Sequence, residues 1–405
     1  MIWLIARIPG KHMAAIVATL LSIALAWAFS PPVAVQVAKT SFADPKLWLK
    51  TAMEVRANAL LTGDPSPLSR FYDQGALHGK WALEHEFRRL NYVKSWASKR
   101  GIRLTRAKVA LQIPSVEPEG GDTVWLYLKL ATTLEYSYEG DPPGTTNAFR
   151  IGTRHSIQLV RDKGSWLIRR DWYTDPLDED ALGMGIKPAD PPAESLVENL
   201  SPQAHARKTN QTRPSAKDTG QGARPEGGQS ASTGDTRGYN RRAAVAYAKK
   251  YWHEYNSRYK NYLNLGGDCA NFVSQVLGDP REGGGLPMDY EQPPPRKGTT
   301  STWALTDSLA DLLLSSGKAR RLMRGIYARV VEPTPEYPLG AVQQLEPGDL
   351  IGYEEAGILE HLAVIVGRDS RGYLLVNSHT ADRYLAPWDL GWDRQTVFWL
   401  MQIVD

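Results

Sequence analysis

The chain holds a single cysteine, Cys269, and its surroundings suit a nucleophile. It stands in Leu265-Gly266-Gly267-Asp268-Cys269-Ala270-Asn271-Phe272-Val273-Ser274-Gln275-Val276-Leu277. Two glycines lead in, and the apolar Phe272, Val273, Val276 and Leu277 then recur at helical spacing after the sulfur. The pattern predicts a helix opening at the cysteine with Asp268 as its cap. A thiol in the first helical turn faces unpaired backbone N–H groups and the positive end of the helix dipole, which predicts a lowered pKa and a thiolate. Further on, Glu360-His361-Leu362-Ala363-Val364-Ile365-Val366-Gly367 reads as a strand beginning with a histidine, and Tyr373-Leu374-Leu375-Val376-Asn377-Ser378-His379 as the next strand. A period of two puts His361, Ala363 and Ile365 on one face, and Tyr373, Leu375, Asn377 and His379 on one face of the neighbour. A cysteine at a helix start, a histidine on a strand and a polar group on the adjacent strand are the parts of a thiol hydrolase.

The elements that must position these groups fill residues 239–405. Residues 239–259 begin with an amphipathic helix that puts Ala244, Tyr247, Ala248 and Tyr251 on one face. Leu345-Glu346-Pro347-Gly348-Asp349-Leu350-Ile351-Gly352-Tyr353 is a turn entering a strand. Trp303, Trp388, Trp392 and Trp399 read as core or groove walls.

Residues 41–185 predict a separate α+β domain. Helices are expected at 45–61 and 79–99, then antiparallel strands at 105–113, 123–138, 149–162 and 166–172. This order resembles the cone-like fold of nuclear transport factor 2 relatives. His78, His85 and His155 lack companion ligands at a metal-binding spacing and read as packing or surface histidines. Residues 187–238 predict a disordered linker, because 201–238 has no Leu, Ile, Val, Phe, Tyr or Trp with which to offset the entropy of ordering. Such a tether implies that the two domains move independently.

With 405 residues, 42% apolar and 23% charged, the chain is too apolar to be largely disordered and too polar to span a membrane many times. One cysteine excludes an intramolecular disulfide and a Cys-rich metal cluster, and no metal site or cofactor is called for. A net charge of +4 gives no case for nucleic-acid binding. Arg7, Lys11 and His12 precede an apolar stretch at 13–29 that ends near Ala26-Trp27-Ala28. Residues 1–38 therefore predict a signal peptide or an uncleaved N-terminal membrane anchor, and an extracytoplasmic protein in either case.

The segments YNRRAAVAYAKKY and NYLNLGGDCANFVSQVL, with the later LEPGDLIGY, HLAVIVG and SHTADRYLAPW, resemble the putative amidase domain family of bacterial surface proteins over residues 239–405. The PGD-then-His layout is shared with NlpC-type cell-wall hydrolases. Ala270 replaces the family's threonine beside the cysteine. The resemblance implies a papain-like α+β core, Cys269 as nucleophile and His361 as general base. For the third position Asn377 is favoured, since a neutral amide accepts the imidazole N–H without a second titration, with His379 on the same strand face as the alternative and Asp382 more distant. The Cys269 backbone N–H is one oxyanion donor, and the Tyr259 and Tyr262 hydroxyls are candidates for the second. Amide bonds of peptidoglycan are the implied substrate; a papain-like acyltransferase and a non-catalytic cell-wall binding module are the alternatives.

Overall fold

The computed structural model describes residues 44–177, 238–265, 267–288, 300–380, 382–392 and 395–404. The leader expected at 1–38, and the linker expected at 187–238 but for its last residue, lie outside these residues. Among the described residues no helix is long and apolar enough to cross a membrane.

The first half opens with helix α1 (Pro45–Thr62), whose start Asp44 caps through the Lys46 N–H and whose end Gly63 permits with a φ of 66°. Helix α2 (Leu77–Lys99) follows, then strands β1 (Ile102–Gly120), β2 (Thr123–Tyr138), β3 (Asn147–Asp162) and β4 (Ser165–Trp172). The strands run further than the sequence predicts because β1 and β2 pair from Ile102↔Tyr138 to Gly120↔Thr123, through bulges that absorb Pro114 and its neighbours.

The second half begins with α3 (Arg241–Lys250), capped by the Asn240 side chain, and α4 (Cys269–Gly278), the cysteine helix. Short helices α5 (Ser301–Ala304), α6 (Thr306–Ser315) and α7 (Tyr327–Val331) are interleaved with β5 (Ala319–Ile326). Strands β6 (Leu350–Glu355), β7 (Ile358–Arg368), β8 (Leu374–Ser378), β9 (Asp382–Pro387) and β10 (Val397–Ile403) complete it. Strand alternation gives this half a core on each face of the sheet. Leu362, Val364 and Val366 join α3, α4 and α6 through Tyr247, Phe272, Val276 and Leu309, whereas Ala363 and Ile365 join Tyr353, Trp388, Trp392 and Phe398 on the opposite face. Phe272, Val273, Val276 and Leu277 of α4 are fully buried, and each contributes about 1.5–3 kcal/mol of apolar burial.

All strands belong to one antiparallel sheet of order β1-β2-β3-β9-β8-β7-β6-β10-β5, with β4 also on β3. The expectation of two independently moving domains is therefore corrected. Strand β4 covers only Ser156–Asp162 of one edge of β3. Three residues further along that edge pair with β9, with Arg150↔Tyr384, Ile151↔Arg383 and Gly152↔Asp382 in register. Leaving it open would expose unpaired backbone groups. Side chains extend the joint. Arg154 donates to Asp382 Oδ2 at 2.7 Å, Trp96 to Asp389 at 3.3 Å, and the Tyr136 and Tyr138 hydroxyls to Asp369 Oδ2 at 2.9 and 2.5 Å. The described residues from Asp44 onward thus form one compact unit.

Candidate functional site

Cys269 is the first residue of α4, as the sequence predicts, and it is buried. The backbone N–H groups of Leu362, Ala270 and Cys269 itself are turned to its sulfur and favour the thiolate. Burial outweighs them and pushes the thiol up to about 11, helped by the nearby Asp268 carboxylate. The expected lowered pKa is thereby corrected: a helix start lowers a thiol's pKa when the sulfur meets water, and this sulfur does not.

Asp268 occupies the cap position without capping α4. Its Oδ1 accepts instead from the Tyr262 N–H and from Asn271 Nδ2, both at 2.8 Å, and its Oδ2 lies 2.7 Å from His379 Nδ1. The Asp268 N–H donates to Thr380 Oγ1 at 2.7 Å. The turn before the cysteine requires glycine, since Gly267 has a φ of 119° and a Cβ there would lie 3.2 Å from Thr380 Oγ1. Thr380 itself has a φ of 74°, a strained value for a β-branched residue, and Leu385 one of 53°.

His361 begins the buried part of β7, one residue from the N–H that meets the sulfur. Its ring turns to the other core, with centroids 5.6 Å from both Tyr353 and Trp392. No described hydrogen bond joins it to Cys269, and its buried Nε2 has no partner. Burial first, then the Arg383 charge and His379, hold its pKa well below the usual 6.5, so the imidazole is neutral. Strand alternation puts His361 on that face with Ala363 and Ile365, and the β-bulge between Tyr353↔His361 and Glu354↔Leu359 brings Leu359 round to the cysteine-helix core beside Leu362, three residues on.

Asn377 pairs with Val364 on the cysteine-helix side of the sheet. Its Nδ2 donates to the Ala248 carbonyl at 2.9 Å and its Oδ1 accepts from the Leu385 N–H at 2.7 Å. Asn377 therefore clasps α3 to the sheet and to β9 and does not orient His361, which corrects the expectation. His379 sits nearest the cysteine helix, stacked on Phe272 at 4.0 Å and close to Tyr255 at 4.1 Å. Its Nδ1 faces Asp268 and its Nε2 the Tyr251 carbonyl at 2.5 Å, so both nitrogens are engaged. Asp382 is fully buried at the joint between halves, receiving Arg154 and His253, the latter at 2.8 Å.

Of the oxyanion candidates, the Cys269 N–H is turned to its own sulfur. The Tyr259 hydroxyl donates to Asp279 Oδ2 at 2.6 Å, at the opposite end of α4. Tyr262 enters through its backbone, its N–H on Asp268 and its carbonyl accepting from the Leu265 and Gly267 N–H groups. Sequence reasoning missed the Leu362 N–H, Thr380 and Arg383. Only the run from Ser378 to Arg383, polar between two apolar segments, hinted at the last two. Among the described residues no group of three or more His, Cys, Asp and Glu side chains is arranged to hold a metal ion.

The chain is 32% identical over 160 residues to the Bacillus subtilis (strain 168) protein YhbB, covering 37% of this chain and 44% of that one. It is 31% identical over 153 residues to YjcM of the same organism, covering 37% of this chain and 33% of that one. Both carry the name "uncharacterized protein", and the chain spans less than half the length of either. Among solved structures, Aln2 from a Streptomyces species aligns with 35% of this chain and 98% of its own length, at 15% identity and a TM-score of 0.23. The segment that builds the cysteine site, residues 238–401, matches the family model described as "Putative amidase domain".

Proposed function

We propose that the chain hydrolyses an amide bond with Cys269 as the nucleophile, in a papain-like arrangement of a cysteine helix packed on an antiparallel sheet. The observation that carries this reading is the convergence of three backbone N–H groups on the sulfur of Cys269, one of them from Leu362, the residue after a neutral histidine with an unpartnered nitrogen. His361 is the better base, since His379 has both nitrogens engaged. His361 accepts the thiol proton as sulfur attacks the carbonyl, and the Cys269 N–H receives the developing oxyanion. The same proton passes to the leaving amine, and water, deprotonated by His361, then hydrolyses the thioester. With the thiol raised and the imidazole lowered, proton transfer is uphill at rest, so activation accompanies substrate arrival and a turn of the imidazole towards the sulfur.

The basic and apolar leader at 1–38 supports an extracytoplasmic location, and with the family resemblance it makes peptidoglycan amides the substrate class. Digestion of peptidoglycan by the wild type and by Cys269→Ala, followed by quantification of newly freed amines, tests this. Amine release by the wild type alone is expected, and equal release by both would end the hydrolase reading.

A further inference from the structure

On the face of the sheet away from α4, three side chains carry polar atoms that no described residue satisfies. Arg383 is fully buried, yet it makes no ion pair with a described carboxylate. One of its nitrogens, Nη2, donates to the Pro176 carbonyl at 3.1 Å, and its guanidinium lies 5.0 Å from the centre of the Trp392 ring. Its Nε and Nη1 have no partner, and the same holds for Trp392 Nε1 and His361 Nε2. The acid next in sequence, Asp382, is engaged by Arg154 and His253. The Trp392 ring is 5.6 Å from that of His361 and stacks on Tyr353 at 4.0 Å, which fixes its plane.

We propose that Arg383, Trp392 and His361 form a receptor for one carboxylate group of the amide substrate, an assignment that rests on the hydrolase reading. An unpaired buried donor is costly, and an uncompensated buried guanidinium more so, which is relieved when an acceptor of opposite charge arrives. The guanidinium and the indole N–H are donors only, so the set selects an acceptor, and the imidazole beside them keeps its nitrogen for the thiol proton. One fixed positive charge calls for one negative charge, which a carboxylate supplies and a dianionic phosphate exceeds. The receptor shares His361 with the site of attack, and Leu362, the next residue, donates towards the sulfur. A carboxylate held there brings its own molecule's amide towards Cys269, and neutralising Arg383 removes the charge that disfavours protonation of His361 when it takes the thiol proton.

Binding to the full chain carrying Cys269→Ala separates recognition from turnover. N-acetylglycine, the neutral N-acetylglycinamide and acetate are titrated, with the Trp392 indole N–H followed by NMR and affinities taken by calorimetry. Saturable binding of N-acetylglycine with a shift of the indole resonance is expected, with N-acetylglycinamide and acetate each about tenfold weaker. Arg383→Met should abolish the preference. Because that variant empties a buried position, Trp392→Phe is the second probe: it keeps the ring, loses one N–H, and should weaken N-acetylglycine about fivefold. Equal binding of acid and amide, no saturable binding, or an unchanged affinity in Trp392→Phe would overturn the receptor, and acetate binding as tightly as N-acetylglycine would remove its tie to substrate. Amine release by the wild type without carboxylate preference also sinks the receptor and leaves the hydrolase standing. Carboxylate binding without any amine release does the reverse.

Discussion

The Leu362 backbone N–H is turned to the Cys269 sulfur while the ring of the preceding residue, His361, faces the opposite core. One peptide unit thus links the two sides of the sheet at the candidate site. The sulfur is buried and its thiol is raised to about 11, so thiolate is scarce at neutral pH. Alkylation of the native protein by iodoacetamide should be slower than that of free cysteine at pH 7 and should climb with pH towards 11. A rate that is already at its plateau by pH 6 would contradict the buried, protonated thiol.

His361 gives the protein a pH-dependent stability. Its folded pKa lies well below 6.5, so unfolding takes up a proton once the pH drops below that value. The stability it contributes is present above pH 6.5 and is lost as pH falls towards the folded pKa, at up to about 1.4 kcal/mol per pH unit. Urea denaturation of the wild type and His361→Gln across this range should show a shallower slope in the variant. Parallel curves would refute it.

Asn377 distinguishes a clasp from an orienting residue. Asn377→Ala removes two buried hydrogen bonds and strands the Ala248 carbonyl and the Leu385 N–H, which should cost about 2–4 kcal/mol in chemical denaturation. Amide hydrolysis per folded molecule should change little by comparison. A loss of turnover with unaltered stability would restore Asn377 to the catalytic set.

The seam between the halves depends on the absence of one side chain. A Cβ on Gly152 would lie 2.6 Å from His253 Nδ1 and 3.0 Å from Asp382 Cβ, so Gly152→Ala must push the two halves apart or displace His253. The expected result is a drop in melting temperature of several degrees, corresponding to about 1–3 kcal/mol of overpacking. An unchanged melting temperature would mean that the seam yields freely.

Local features of the fold were legible in the sequence where they depend on local patterning. Phe272, Val273, Val276 and Leu277 mark α4 by spacing, Asp44 and Pro45 mark the start of α1, and alternation marks β2 and β3. Cys269 at a helix start needed no more than this. Tyr259 and Asn377 were placed correctly on their segments and wrongly in space, because the direction of a side chain in a loop and the neighbour it meets across a sheet depend on contacts distant in sequence. His361 shares a face with Ala363 and Ile365, as a period of two predicts, but which face the cysteine helix covers is set by packing, and the bulge that brings Leu359 to the side of Leu362 is invisible to that period. The pKa of Cys269 was misjudged for a related reason: the helix start is written in the sequence, while the loss of water around the sulfur is a property of the packed whole.

The pairing of β3 with β9 has a consequence for a cut chain. A protease nick anywhere between 178 and 237 would sever the covalent connection, yet the fragments would still share a sheet, the Arg154–Asp382 ion pair and the Tyr136 and Tyr138 bonds to Asp369. They would behave as a complementing pair, eluting together until denaturant parts them, and whatever Cys269 does would outlive the cut.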